Sequence, residues 1–224
     1  MPPEPRLVPR FAAEPPQDPA PYGRWEQRLR EEFLAAALRI EGPEDLGEPG
    51  GIVWYPDRTW HGRTYVPATA ATSGGYELFG YVRYLVSGPD GERGEVMASV
   101  DFTEETAERN PGWQLDLCDE VIGSWRGEGG AVAAMTLVWG RPLVSGGAIA
   151  TAELAGLAVD QCELLDERFT LIAPDDYRHD VLEIKLFAAA GRELAAESLE
   201  GDEDEDEDEE DEGDGAQGAE DGDG

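Results

Sequence analysis

Between positions 54 and 65 the chain gathers four aromatics, one of its two histidines, one acid and two arginines: Trp54, Tyr55, Asp57, Arg58, Trp60, His61, Arg63 and Tyr65. Trp, Tyr and Arg are the side chains that carry most of the energy of protein interfaces, so these eight are the candidate binding residues. An aspartate near an imidazole can also orient it for proton transfer, which Asp57 and His61 could do. That pair has no visible nucleophile beside it, and no catalytic residue is assigned. The same segment reads more readily as core, because aromatics enrich strands and Pro56 to Thr59 reads as the turn between two of them.

The remaining chemistry-bearing residues are scattered. Cys118 and Cys162 form no CxxC and sit in strand-like runs, the pattern of reduced, structural thiols rather than of a disulfide scaffold. Asp116, Asp119 and Glu120 crowd Cys118 with like charge, which raises a thiol pKa and works against nucleophilic use. A zinc site would have to draw Cys118, Cys162, His61 and His179 together from distant positions. Asp175, Asp176, His179 and Asp180 are the densest hard ligands outside the tail, but Pro174-Asp175-Asp176-Tyr177 is also an ordinary turn and lacks EF-hand spacing. Ser73-Gly74-Gly75 closes a small-residue loop that matches neither phosphate-binding glycine motif. No metal and no cofactor is expected.

Charge excludes more than the motifs do. The chain holds 50 acids and 17 bases, net -33. Residues 200–224 contain 16 of those acids and none of the bases, which leaves 34 acids against 17 bases, or -17, on the rest. A surface of that sign repels nucleic acid and anionic lipid and attracts basic proteins, over a Debye length of about 8 Å at physiological salt. The expected partner is therefore a basic protein, with no direct nucleic-acid binding and no membrane. No run approaches the roughly 18 apolar residues of a membrane helix, and Met1-Pro2-Pro3-Glu4 lacks the start of a signal peptide, so a cytoplasmic location is expected.

These residues must be positioned by elements that the pattern outlines. Residues 1–21 hold eight prolines and read as an extended leader. Trp25, Leu29, Phe33, Ala36, Ala37 and Ile40 recur at helical spacing, which predicts an amphipathic helix over 22–41, stopped by Gly42-Pro43. Tyr76 to Phe102 reads as a hairpin about Gly88-Pro89-Asp90-Gly91, with Leu78, Val82, Tyr84 and Val86 on one face and Val96, Ala98, Val100 and Phe102 on the other strand. Trp113, Leu115, Leu117, Val121 and Trp125 begin a second hairpin, whose return strand, Ala131 to Trp139, is apolar on both faces and so predicts the centre of a sheet. Ala148 to Leu165 reads as strands rather than helix, Phe169 to Ala173 as a strand stopped by Pro174, and Val181 to Phe187 with Glu193 to Leu199 as a hairpin about Gly191. From Glu200 onward sixteen like charges offer no apolar surface to offset ordering entropy, and the segment is expected to be disordered, either capturing a basic partner or only solubilising the chain.

The expected fold is mainly β, at the margin of α+β: an antiparallel sandwich or strongly curved sheet of about eight to ten short strands, built from hairpins. One β-rich domain over 22–199, with its N-terminal helix, lies between the leader of 1–21 and the acidic tail of 200–224. Two functions compete. The first is a non-enzymatic cytoplasmic interaction or accessory protein that holds a basic macromolecule or assembly subunit through its acidic surface and tail. The second is a small-molecule binding protein or hydrolase that uses the aromatic segment 54–65. A deep pocket converging on Trp60 and His61 favours the second; a closed core with a flat acidic face favours the first.

Overall fold

The structure, a computed structural model, describes residue 21 and residues 23–87, 92–126, 130, 132–175 and 180–199. The leader through residue 20, the acidic tail, the Gly88-Pro89-Asp90-Gly91 turn, most of the Gly127–Gly130 turn, and Asp176 and His179 lie outside the described residues.

Helix α1 runs Gly23–Ala37 and buries Leu29, Phe33, Ala36 and Ala37, one stripe at steps of four, three and one. It ends four residues before the predicted boundary at 41. Arg39 and Ile40 bond back to Ala36 and Ala37, three residues away, so the last turn tightens before Gly42-Pro43. Leu38 falls opposite the stripe and is 88 % exposed.

Twelve strands follow among the described residues, paired antiparallel throughout in three sheets. The first sheet holds β1 (Val53–Trp54), β2 (Arg58–Trp60), β3 (Arg63–Ala71), β4 (Glu77–Ser87) and β5 (Glu92–Thr103), in the order β1-β3-β4-β5 with β2 also on β3. The second places β7 (Val132–Pro142) between β6 (Leu115–Arg126) and β10 (Phe169–Asp175). In the third, β12 (Glu193–Ser198), β11 (Leu182–Phe187), β8 (Ile149–Leu154) and β9 (Leu157–Glu163) lie in that order. The segments 148–165 and 181–199 are strands, as their β-branched and alternating residues predicted.

Three apolar clusters show how the sheets are covered. Leu29, Phe33 and Ala37 of α1 meet Val66, Ala68, Ala70, Leu78, Val82 and Tyr84 on one face of the first sheet. Its other face contributes Tyr65 and Tyr81, which meet Met135, Leu137, Trp139 and Ile172 of the second. The second sheet's far face, with Val138, Phe169 and Leu171, packs on Ala152, Leu154, Ile184 and Leu186 of the third. β7, apolar on both faces in sequence, is thus the middle strand of the middle sheet, where a two-faced strand is needed.

Local irregularities overturn four finer expectations. Val86 is 47 % exposed, because a register shift after Tyr84 moves it off the helix-facing row. Val121 is 59 % exposed and Ile122 is buried instead, just before a second register shift, between Val121 and Gly123. Pro174 does not stop β10, which pairs through Asp175; β10 lies at a sheet edge, where a missing N–H breaks no ladder bond. Pro56 to Thr59 is not a reversal: β1 and β2 lie in line along the same edge of β3, with one extra residue between Trp54↔Ala68 and Arg58↔Tyr65.

Candidate functional site

The reversal in the aromatic segment is at His61-Gly62, between β2 and β3. Both residues have positive φ, 50° and 74°, as a two-residue hairpin turn of the I′ kind requires, and Gly62 supplies the conformation without strain. This turn holds the His61 ring in solvent, stacked on Trp60 with centroids 4.2 Å apart and planes 19° from parallel. Arg63 starts β3 and is exposed. Asp57 is half-buried, and its charge acts on the Tyr84 phenol, whose pKa is raised first by burial and then by Asp57.

The other five candidates face inward. Trp54 joins the cluster under the helix and meets Phe33 edge-on at 6.1 Å. Tyr55, Trp60 and Tyr65 join the cluster between the first and second sheets. Trp60 is 5 % exposed, and its indole lies directly over Gly123, where a Cβ would fall 2.8 Å from Cζ3. Glycine at the register shift of β6 is therefore the condition for seating the ring. Arg58 is buried as well and donates to Asp160 of β9, whose carboxylate also accepts the Ile172 and Gln161 amides at 2.9 Å each. Burial pushes the Asp160 carboxyl above its ordinary value, against the pull of Arg58 and those two amides. The pair joins β2 to the third sheet past β10.

The structure thus divides the eight residues into an interior group and a small exposed turn of His61 and Arg63, with Asp57 between. A second constellation was only partly foreseen: the acids beside Cys118 were read from the sequence, but Glu77 was not. Glu77 comes from β4 and Asp116 and Cys118 from β6, and all three act on Tyr55. Burial raises the Glu77 carboxyl, and Asp116 raises it further while Arg141 opposes them. Arg141 donates to Asp116 at 2.8 Å. The Cys118 thiol is pushed well up by burial, then by Glu77, Asp116 and Asp119. Burial and like charge of this kind work against a thiolate at Cys118. The signal for Glu77 was the odd-numbered row Glu77, Phe79 and Tyr81, masked by the more apolar even-numbered row of the same strand.

Among the described residues no three His, Cys, Asp or Glu side chains converge in a metal-binding group. No helix there is long and apolar enough to cross a membrane. One open groove of about 490 Å³ lies between the C-terminal end of α1 and β5. Ala36, Ile40, Ala98, Val100 and Phe102 give it an apolar floor, while Arg39, Glu41 and Asp101 stand at its sides. No protein-family model, curated protein or solved structure matches this chain.

Proposed function

We propose that this chain is a non-enzymatic interaction or accessory protein that engages a basic protein partner or assembly subunit in the cytoplasm through its acidic surface and tail. The reading takes the stack of sheets as a layered antiparallel sandwich, capped by an amphipathic helix. One observation carries it: Trp60, with Tyr55 and Tyr65, is spent on the closed core, which leaves recognition to the exposed, net negative side chains. The acids around Cys118 support the same reading, since burial and their like charge raise the thiol and disfavour the thiolate.

The test is titration with poly-L-lysine at rising salt, for three species: the intact chain, a chain ending at Leu199 and a peptide of residues 200–224. The expected result is saturable binding that weakens with salt, strongest for the intact chain and still measurable for the body alone. Binding by the intact chain no tighter than by the tail peptide would reduce the body to a passive carrier and overturn the proposal.

A further inference from the structure

β5 is twelve residues long and is the last strand of its sheet, paired with β4 on one side only. Alternate N–H and C=O groups along it therefore face outward, with no strand to receive them among the described residues. Edges of this kind are ordinarily blunted by proline, lysine or shortness. β10 has Pro174 and β12 is six residues long, but β5 carries neither proline nor lysine, and Val96 to Val100 is uncharged. Its one cation, Arg93, is engaged over the Trp25 ring at 4.2 Å. The groove described above runs beside this edge, and α1, which packs over the inner face of β5, ends at Ala37.

The two faces of the edge differ in chemistry. On the helix side Val100 and Phe102 adjoin Ile40 and Ala36. On the opposite face are Ser99 and Asp101, with Glu120 of β6 close enough that Asp101 raises its carboxyl pKa, after burial, together with Asp119. An added strand would alternate in the same way: apolar side chains over the helix side and cationic ones where these carboxylates repel one another. The residues lining the groove include one cation, Arg39, and two acids, Glu41 and Asp101. A second copy of β5 suits the edge poorly, since antiparallel pairing would bring Glu95 and Asp101 toward the same carboxylates of the other copy.

We infer that β5 takes up an extended basic segment of a partner protein as an added strand, with apolar residues over Ile40, Val100 and Phe102 and Lys or Arg against Asp101 and Glu120. This rests on the acidic-module reading and names where on the body it acts. Main-chain bonds to the edge supply affinity, and the alternation supplies specificity.

The test uses the full chain and peptides of about nine residues, long enough to span the edge: alternating Lys and Val, the same composition in two blocks, and the alternating peptide N-methylated at every second residue. Amide chemical shifts and hydrogen exchange are the readout. The alternating peptide should bind saturably, shift and protect residues 96–102, and shift residues 36–41. N-methylation on the edge-facing side should cost tenfold or more in Kd, and Asp101→Asn about two- to fivefold with the melting temperature not lowered. Equal binding by the block peptide, with shifts spread over the acidic surface, overturns strand addition and leaves the acidic-module reading standing. Failure of every basic peptide to bind at low salt overturns both. Protection of β5 by concentration alone, without peptide, assigns the edge to a second copy and overturns the inference.

Discussion

The contact between Trp60 and Gly123 can be perturbed from both sides. Trp60 is 5 % exposed between two sheets, and removing its ring by Trp60→Ala should cost about 3 to 5 kcal/mol, the range for a buried aromatic. Gly123→Ala adds a methyl at a point 2.8 Å from Cζ3 and 2.9 Å from Cη2 of the same ring, closer than carbon atoms approach. The backbone there does not require glycine, so the expected cost of about 1 to 3 kcal/mol is that of overpacking alone. In the double variant the ring is gone and the methyl enters the space it left. Trp60→Ala/Gly123→Ala should therefore be no less stable than Trp60→Ala, a coupling of about 1 to 3 kcal/mol in a double-mutant cycle. Urea unfolding followed by far-ultraviolet circular dichroism gives the midpoints, with m held constant as the check that only stability moved. At about 2 to 4 °C per kcal/mol for a chain of this size, Gly123→Ala alone should lower the melting temperature by roughly 2 to 12 °C. Strict additivity of the two changes, or a silent Gly123→Ala, would refute the seating of the indole on β6.

Breaking the buried pair by Arg58→Met or Asp160→Asn alone should cost about 3 to 5 kcal/mol, whereas replacing both with apolar residues should cost less than either, as thermal melts of the three variants would show. Burial raises the Asp119 and Glu120 carboxyls above their ordinary values of 3.8 and 4.5, so the folded state binds more protons than the unfolded one and stability falls as pH rises through and above those values. The melting temperature should accordingly be higher near pH 5 than at pH 7, and Glu120→Gln should raise it at pH 7 while flattening the slope; an unchanged slope would remove Glu120 from the account. Burial also pushes the Cys162 thiol up to about 12 and the Cys118 thiol well above its ordinary value, so both should react slowly with a thiol dye at pH 8 until the chain is unfolded. Rapid native labelling of Cys118, which is half-buried, would contradict its raised pKa.

The period-two rows were legible wherever one strand faced one core. Val96 to Phe102, Phe169 to Ala173 and Val181 to Phe187 could be read as strands directly, and the apolar character of both faces of β7 pointed to its central place. The shifts at Val86 and Val121 were not legible, since a one-residue irregularity leaves composition unchanged and reverses which side chains face inward. The same holds for Pro56, where a proline suits a bulge as well as a turn. In the candidate site, the inward placement of Trp54, Tyr55 and Trp60 was foreseen as one of two readings. The pairing of Arg58 with Asp160 could not be, because the two are separated by 102 residues and nothing local marks a buried arginine.

The place of β10 fixes an order of assembly. The first sheet is complete within residues 53–103, from neighbouring segments, but its Tyr65 and Tyr81 face has no cover until β6 and β7 exist. The middle sheet in turn lacks β10 until residue 175, after two strands of the third sheet have been made. At about 5 to 20 residues per second of synthesis, the 72 residues from 103 to 175 take roughly 4 to 14 s, during which an aromatic face is presented without its final neighbours. Such non-local closure is slow on any landscape. The nascent chain is therefore most exposed to misassembly midway through its synthesis, and a holding chaperone would meet its tyrosines and tryptophan in that interval.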